Sequence, residues 1–463
     1  MDLKCIFSLV IIVSRISLSF TQNVNVVIQG STSVAETDDN FDLKKKVLIN
    51  AIKAFNSLRI KVGGSLQDQV VYGVGEVKNC PNFMKKEGSL FGFSQGCLPV
   101  ERWDELNNFF NQTGVNVTFG LNALLGRNES QNEKGLWVGD WNSQNARDLM
   151  KYTISRGYKV DSYEFGNQLS GAGMGARVEA EQYGKDVIVL KNMVKELHPY
   201  PKTQPKVLGP SGFYDEKWFN SFLEVSGQEV VDGVTHHIYN LGPGDDLNLI
   251  TKIQDPSYLN QVAQTYRGVF NIVHKFKPQS GAWVSKSGGA LQGGAKDVSP
   301  TFADGFWFSA GKLSFGGNYA LLKTTTFISN PDYYGSLLWH RLMENIVLAV
   351  TQESQESNPK KKPGNSIIFV NLLKDSSFDV TLSSYEHHRC NLRSTDAAKP
   401  NFEFKSYLHR EEYHLTALGG NIQDTFDIPA MDPKLVNAST AISVAAHSIV
   451  YETIRDFHAP VCV

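Results

Sequence analysis

The sequence predicts an α/β fold, a (β/α)8 barrel whose last unit is incomplete, followed by a C-terminal β-sandwich. Short β-type runs alternate with helix-type stretches from about residue 24 to 350, which is typical of parallel strands joined by crossover helices. No Gly-rich dinucleotide-binding turn follows these runs, which disfavours an open doubly wound sheet. Beyond residue 365 apolar and polar residues alternate along strand-length stretches, as they do in a sandwich.

The barrel prediction contains seven clear strands and an eighth that is hard to place. The seven predicted strands are 24–28, 58–62, 116–121, 159–165, 206–209, 233–239 and 281–286. The eighth must lie between 312 and 327, and the stretch 306–327 is short for both a helix and a strand. In such a barrel, chemistry belongs at the C-terminal ends of the strands.

A polar segment separates the barrel from the sandwich. It contains two prolines and the lysine run 360–362, and we interpret it as a solvated connection rather than a heparin-binding patch. The predicted division is a leader at 1–22, the barrel at 23–350, the linker at 351–365 and the sandwich at 366–463.

The first 22 residues have the pattern of a secretory signal peptide. A charged start precedes a short apolar stretch, and a polar segment follows. Arg15 interrupts the apolar stretch, so an N-terminal strand or helix is the alternative. We expect a secreted, extracellular protein or a resident of an endomembrane compartment such as the lysosome or vacuole, with peripheral membrane association left open. No transmembrane segment is predicted.

Cysteines and glycosylation acceptors agree with that expectation. Removal of the leader takes Cys5 and leaves four cysteines, for which proximity suggests the pairs Cys80–Cys97 and Cys390–Cys462; buried free thiols are the alternative. Four triplets could carry N-glycans, at Asn111, Asn116, Asn128 and Asn437. Asn116 lies inside a predicted strand, so we do not expect its use.

The overall charge excludes one class of partner. The formal net charge is −2 over 463 residues, so nothing in the balance indicates nucleic acid. We expect no cofactor and no metal ion.

Two predicted strand ends carry residues suited to a pocket. "YEFGNQLSG" places Asn167 and Gln168 after the fourth strand, and "WVSKSGGA" places Lys286 at the tip of the seventh. Retaining glycosidases built on barrels need two carboxyl groups about 5 Å apart, from two strand ends. Neither strand tip supplies one, because Asn167 and Gln168 follow the fourth strand and Lys286 stands at the tip of the seventh.

Nine stretches together resemble the plant-type heparanase-like proteins of glycoside hydrolase family 79. They are "AETDDNF", "GGSLQDQVVYGVGE", "RWDELNNFF", "VTFGLNALLGR", "YEFGNQLSG", "VTHHIYNLG", "WVSKSGGA", "NPDYYGSLLWHRLM" and "REEYHLT". The resemblance covers nearly all of the chain after the leader. It implies a (β/α)8 barrel with a β-sandwich, a secreted or endomembrane location, and retaining hydrolysis of β-glucuronides.

The resemblance also identifies two substituted positions. The family's general acid/base is the Glu of an Asn-Glu motif, which corresponds to Gln168, and its nucleophile is a Glu that corresponds to Lys286. An amide cannot exchange protons with the leaving group, and an ammonium repels a developing oxocarbenium ion. The chain therefore resembles a hydrolase that has lost both catalytic carboxylates.

Replacement carboxylates are few. No Asp or Glu lies between Asp255 and Asp297, so the seventh strand offers none. Glu164 shares a strand face with Gln168 but lies a layer deeper, where pairing within the barrel is more plausible. Glu36, Asp38 and Asp39 after the first strand are the remaining candidates, and we place Asp39 in the binding site.

The resemblance implies that the means of recognition are retained. Asn167 would contact the sugar 2-hydroxyl, His237 and Tyr239 would form the pocket floor, and a Gly-Asn-Tyr loop would hold the uronate carboxylate. That loop corresponds to Gly317, Asn318 and Tyr319. The alternative for these side chains, and for His236, is simple core packing.

The sequence allows three interpretations of the Lys286 side chain. It could pair with a uronate, form a salt bridge with Glu164, or point to solvent. The leading hypothesis is a protein that binds glucuronic-acid-containing glycans and hydrolyses them weakly or not at all. An active β-glucuronidase with relocated carboxylates is the alternative, and a decaying paralogue without function is a third interpretation.

Overall fold

The computed structural model describes most of the chain. The described residues are 9–16, 25–29, 42–55, 58–276, 281–291, 294–310, 321–322, 327, 329–342, 346–347, 364–380, 409–417, 420–422 and 432–455.

The first part of the chain forms a seven-stranded parallel sheet. Its spatial order is β2-β3-β6-β9-β10-β11-β12. Cα atoms of the two outer strands, β12 and β2, approach within 8 Å of each other, so the sheet curves back on itself as a barrel does. The barrel strands are β2 Asn25–Gln29, β3 Arg59–Gly63, β6 Asn116–Leu121, β9 Ser162–Phe165, β10 Lys206–Phe213, β11 Gly233–Ile238 and β12 Gly281–Ser287.

The barrel prediction is confirmed strand by strand up to the seventh. The region predicted for the eighth strand falls largely outside the described residues, and its described part holds only an isolated bridge between Leu322 and Ser329. Two short strand pairs lie in the loops between barrel strands. They are β4 Val70–Tyr72 with β5 Gly96–Leu98, and β7 Asn128–Glu129 with β8 Trp137–Val138.

Helices alternate with the barrel strands. They are α1 Lys46–Lys53, α2 Val100–Thr113, α3 Gln144–Ser155, α4 Ala180–Leu197, α5 Glu216–Ser226, α6 Leu249–Ile253, α7 Pro256–Phe276, α8 Phe302–Ala310 and α9 Pro331–Leu342, with 3₁₀ turns at Ser65–Gln69, Leu90–Gly92 and Pro201–Thr203. Local signals set several ends: Asp215 caps α5 by accepting a hydrogen bond from the Trp218 N–H at 2.8 Å, and Gly114 ends α2 in the left-handed region.

Aromatic side chains join the helices to the sheet. The Tyr183 ring of α4 lies 5.2 Å from the rings of Phe165, Trp218 and Phe222, and its hydroxyl donates to the Phe165 carbonyl at 2.7 Å. The Tyr183 side chain is fully buried, and this hydrogen bond gives its hydroxyl the partner that a buried polar group needs. The β9 end, where the candidate site begins, is therefore held rigidly.

The C-terminal part forms a second, antiparallel sheet, in agreement with the predicted sandwich. Its order is β13-β1-β14-β19-β16-β17, and the ribbon β15-β18 covers part of one face. The other face packs on α8 and α9. The strands are β1 Leu9–Ile16, β13 Ile346–Val347, β14 Gly364–Asn371, β15 Phe378–Val380, β16 His409–Thr416, β17 Lys434–Asn437, β18 Ile442–Val444 and β19 Ser448–Arg455.

The predicted leader contributes to this sheet. Strand β1 pairs antiparallel with β14 over eight residue pairs, from Leu9 opposite Asn371 to Ile16 opposite Gly364. The structure thus shows the strand that the sequence left as the alternative, while cleavage of the leader stays a prediction. Strand β14 begins at Gly364, so the last residues of the predicted linker belong to the sheet.

Buried carboxyl groups lie between the barrel and the second sheet. The side chains of Asp304 on α8 and Asp332 on α9 are buried and hydrogen-bonded to each other. Burial raises the pKa of Asp304 to about 7, and burial beside Asp304 raises the pKa of Asp332 well above its usual range. Both carboxyls therefore keep their protons to a higher pH than exposed carboxyls do.

The remaining predictions on processing have mixed outcomes. Cys80 and Cys97 form the predicted disulfide, and Cys390 and Cys462 lie outside the described residues. Asn116 is in β6, as expected; N-glycans at the other acceptors stay predictions. Among the described helices, none combines the length and apolar character needed to cross a bilayer.

Candidate functional site

The candidate site lies at the C-terminal ends of β9, β11 and β12. Gln168 follows β9 by three residues, Tyr239 follows β11 directly, and Lys286 is the penultimate residue of β12. Parallel strands end at the same rim of a barrel, so residues distant in sequence meet there.

Gln168 has a strained backbone. Its φ is +58°, a left-handed conformation that costs a non-glycine residue about 1 kcal/mol or more. Two hydrogen bonds hold it: its N–H donates to the Ser211 carbonyl at 2.7 Å, and its carbonyl accepts from the Met174 N–H at 3.1 Å. The side chain is 6% exposed and makes no hydrogen bond to a described residue. The two backbone hydrogen bonds hold Gln168 in place, and its side-chain amide is available to a ligand.

Asn167 is positioned by a buried carboxylate. Its N–H donates to Asp68 at 2.8 Å, and the other Asp68 oxygen accepts from the Ala123 N–H at 2.8 Å. Burial raises the pKa of Asp68 to about 7, against the opposing effect of the two N–H donors. The Asn167 side-chain amide is buried, and both its polar atoms lack a partner among the described residues.

A chain of polar groups fills the barrel interior beneath these residues. Lys61 of β3 forms an ion pair with Glu164 of β9, and its ammonium donates to the Ser211 hydroxyl at 2.8 Å. The Ser211 oxygen lies 3.0 Å from His237 Nε2. Because the lysine must donate, the serine hydroxyl is free to donate to the imidazole.

His237 is held neutral by this arrangement. Burial first, and then the charges of Lys61 and Lys286, lower its pKa well below the usual 6.5. With Nε2 accepting from Ser211, a neutral ring carries its proton on Nδ1, which is buried without a partner among the described residues. His237 thus presents an N–H donor.

Lys286 is buried beside His237. The two residues are opposite each other in the β11–β12 register, and the ammonium lies 5.8 Å from the centre of the Tyr239 ring. Burial, with a further contribution from the charge of Lys61, lowers the Lys286 pKa from 10.5 to about 7. Lys286 makes no ion pair or hydrogen bond with a described residue.

This placement excludes two of the interpretations left open by the sequence. Glu164 pairs with Lys61, so the anticipated bridge from Lys286 to Glu164 is not formed. The Lys286 side chain is 5% exposed, so it does not point to solvent.

The other recognition residues divide into three groups. Tyr239 is half-buried, and its ring centre lies 6.1 Å from that of Phe213. His236 lies outside the site, because its ring packs 5.9 Å from Tyr266 of α7. Six predicted residues lie outside the described part of the chain: Glu36, Asp38, Asp39, Gly317, Asn318 and Tyr319.

Sequence reasoning missed Lys61, Asp68 and Ser211. Asp68 stands in "GGSLQDQ", one of the stretches that carried the family resemblance, and a lysine within the apolar strand "RIKVG" is an available signal of an interior partner. Ser211 gives no such signal, since its role depends on a φ of +54°.

The described carboxyl groups of this site already have partners, whereas several donors do not. Glu164 and Asp68, the carboxyl groups in contact with this network, are engaged by Lys61 and by two backbone N–H groups. Lys286, Asn167 and His237 offer donors to a ligand. The described residues contain no cluster suited to holding a metal ion.

Comparison with known proteins identifies the family. The N-terminal domain model of glycosyl hydrolase family 79 matches residues 30–311. The chain is 40% identical to heparanase-like protein 1 of Arabidopsis thaliana over 95% of each chain, and 31% identical to baicalin-beta-D-glucuronidase of Scutellaria baicalensis over 89% of this chain and 83% of that one.

The fold has solved counterparts. The structure of a 4-O-alpha-L-rhamnosyl-beta-D-glucuronidase from Fusarium oxysporum superposes with a TM-score of 0.63 at 13% identity, covering 95% of this chain and 97% of that one. This likeness supports the architecture alone. The family model and the 40% identity show the family. The chain, whose barrel carries Gln168 and Lys286, belongs to glycosyl hydrolase family 79.

Proposed function

We propose that this family 79 protein binds β-glucuronides and glucuronic-acid-containing glycans without hydrolysing them at an ordinary rate. The observation that carries the proposal is the placement of Gln168 and Lys286, both buried at the barrel rim, at positions where the family resemblance implies carboxylates.

The loss of proton transfer follows from Gln168. A retaining mechanism needs one group that donates a proton to the leaving oxygen and later removes one from water. A primary amide does neither at ordinary pH, and such catalysis contributes roughly two to four orders of magnitude in rate. The constrained backbone keeps this amide in place, where it can still donate a hydrogen bond.

The loss of the nucleophile follows from Lys286. An amine at this position cannot form the glycosyl ester of a retaining mechanism, and in its charged form it opposes the positive charge of the transition state. The same charge attracts a ligand carboxylate. Lys61 adds a second cation to the interior but is already paired with Glu164.

The relatives support the class of ligand. Baicalin-beta-D-glucuronidase acts, by its name, on a glucuronide. In this chain the Lys286 ammonium, the Asn167 amide and the His237 Nδ1–H are donors for a sugar acid, in addition to the Gln168 amide. An ion pair in a buried site exceeds the effect of a neutral hydrogen bond, so carboxylate recognition should dominate affinity.

Calorimetric titration at pH 6 tests this proposal. Methyl β-D-glucuronide should bind about tenfold more tightly than methyl β-D-glucoside, which corresponds to one charge-assisted contact of about 1.4 kcal/mol. Lys286→Met should remove the preference, whereas Lys217→Met, at an exposed lysine, should retain it. Equal affinity for the two sugars would refute binding through the carboxylate.

A turnover assay separates this proposal from the active alternative. Purified protein should release no fluorophore from an aryl β-glucuronide. Ordinary release would overturn the proposal and favour relocated carboxylates. In that case Glu36→Gln, Asp38→Asn or Asp39→Asn should abolish release, and Asp68→Asn should be added because Asp68 contacts the backbone beside Gln168.

We also propose that the protein enters the secretory pathway. The Cys80–Cys97 disulfide suits an oxidising compartment, and Asn111 and Asn128 are exposed as glycan acceptors must be. Expression in a secreting host should yield protein in the medium whose mass falls after deglycosylation. Retention of an unglycosylated chain inside the cells would contradict this proposal.

A further inference from the structure

One buried amine in the barrel has no ionic partner among the described residues. Lys286 is 5% exposed, its ammonium lies 5.8 Å from the centre of the Tyr239 ring, and His237 is opposite it in the β11–β12 register. The buried carboxylate that could have paired with it, Glu164, pairs with Lys61 instead. The Tyr239 ring and the charge of Glu164 favour the ammonium, but burial and the charge of Lys61 outweigh them and favour the neutral amine.

A neutral amine at a barrel rim is a nucleophile. Lysine amines attack carbonyl carbons when desolvation or a neighbouring cation favours the uncharged form. Both conditions hold here, since the side chain is buried and the charge of Lys61 also lowers the Lys286 pKa, to about 7. The reactive amine is therefore far more populated at neutral pH than it is in an exposed lysine.

We propose that Lys286 Nζ forms a reversible imine with small aldehydes and with the open-chain form of reducing sugars that enter the barrel mouth. The nitrogen lone pair attacks the carbonyl carbon, the C=O electrons move to oxygen, and a proton passes from nitrogen to that oxygen to give a carbinolamine. The nitrogen lone pair then expels the hydroxyl, which leaves as water with the remaining N–H proton, and the C=N bond forms. No oxidant or reductant is consumed.

Lys61 provides a comparison inside the same barrel. It is equally buried, but it forms an ion pair with Glu164 and donates to the Ser211 hydroxyl at 2.8 Å. Both contacts engage its N–H groups, and an ammonium in an ion pair has no lone pair to attack a carbonyl. Imine formation should therefore select Lys286 over Lys61.

Reductive trapping tests the inference on the full-length native protein. We would incubate it with glyceraldehyde and cyanoborohydride at pH 7 and map modified lysines by peptide mass spectrometry. The neutral fraction of an exposed lysine with a pKa near 10.4 is below about one in a thousand at this pH. Lys286 should therefore be modified at least about tenfold faster than exposed Lys217, and its rate should level off above about pH 7.

Two outcomes would overturn the inference: modification of Lys286 no faster than that of Lys217, or a Lys286 rate that keeps rising to pH 10. Lys286→Arg should lose the fast adduct, and Lys217→Arg should keep it. Since native protein carries the main test, poor folding of a variant does not decide the result.

Chemistry at Lys286 does not depend on glucuronide binding, and the two can be told apart. A bound carboxylate favours the ammonium, so saturating methyl β-D-glucuronide should slow trapping at Lys286 and leave Lys217 unchanged. Fast trapping without such protection would support the imine and count against the proposed carboxylate contact. Slow trapping with normal glucuronide affinity would count against the imine and support the proposed carboxylate contact.

Discussion

The barrel interior contains two buried lysines in contrasting surroundings. On the β3–β9 side, Lys61 has a carboxylate and a hydroxyl as partners. On the β11–β12 side, Lys286 faces an aromatic ring and a neutral histidine. A buried charge with partners contributes to structure, whereas one without them shifts towards its neutral form. The first region therefore supports the barrel, and the second is available for ligands and chemistry.

The largest effect should come from placing carboxylates at the two rim positions, Gln168 after β9 and Lys286 on β12. Gln168→Glu with Lys286→Glu should raise aryl β-glucuronide turnover at least about a hundredfold above the native level, since general acid–base catalysis alone contributes about 10²–10⁴. Either single change should restore much less, because the two groups act as a unit. A double variant with a native circular dichroism spectrum and no turnover would contradict the assignment of these positions.

Breaking the pair on the β3–β9 side should have the largest effect on stability. Glu164→Gln leaves the Lys61 charge buried without its counter-ion, which should lower the free energy of unfolding by about 3–5 kcal/mol. Urea denaturation would measure the change. Glu229→Gln, at an exposed glutamate, serves as the control and should change it little. A loss below about 1 kcal/mol for Glu164→Gln would show that the pair is not structural.

Removing Lys286 should have the opposite sign and depend on pH. Its folded pKa of about 7 lies below the unfolded value, so the unfolded chain binds more protons between pH 7 and 10.5, and stability rises across that window. Lys286→Met should therefore stabilise the protein by a few kcal/mol at pH 6 and progressively less towards pH 10. Thermal melts at pH 6 and 9.5 would measure the difference; a gain independent of pH would contradict it.

The buried carboxyl pair Asp304 and Asp332 should make stability depend on pH in the opposite direction. Raised carboxyl pKa values mean that the folded chain binds more protons above about pH 4, so stability falls as pH rises towards and beyond 7. Asp332→Asn keeps a hydrogen-bonding group and should stabilise the protein by about 1 kcal/mol at pH 8, with no gain at pH 4. Destabilisation at pH 8 would indicate that the charged form is the favoured one.

The sequence predicted the barrel well because short β-type runs alternate regularly with helix-type stretches. Strand β11 was expected at 233–239 and spans Gly233–Ile238, and β12 was expected at 281–286 and spans Gly281–Ser287. Both substituted positions were found at strand ends for the same reason. Local hydrophobicity determines where a strand lies and which end meets the rim.

Partners across strands were beyond sequence reasoning. A period of two places Glu164 on an inward face but does not say whether Lys61 or Lys286 is nearer, because that depends on strand stagger around the barrel. The left-handed backbone of Ser211, which brings its hydroxyl to His237, leaves no pattern in composition. The pairing of β1 with β14, more than 300 residues later, is equally nonlocal.

That pairing would link cleavage of the predicted leader to assembly of the sheet. Strand β1 lies between β14 and β13 in the sheet. Cleavage of the predicted leader would remove it and leave β14 as an outermost strand, with a row of unpaired N–H and C=O groups from Gly364 to Asn371. A strand from another molecule can form backbone hydrogen bonds with such a row of groups. A chain that keeps its first residues would close this edge internally, while a processed chain would present it for self-association.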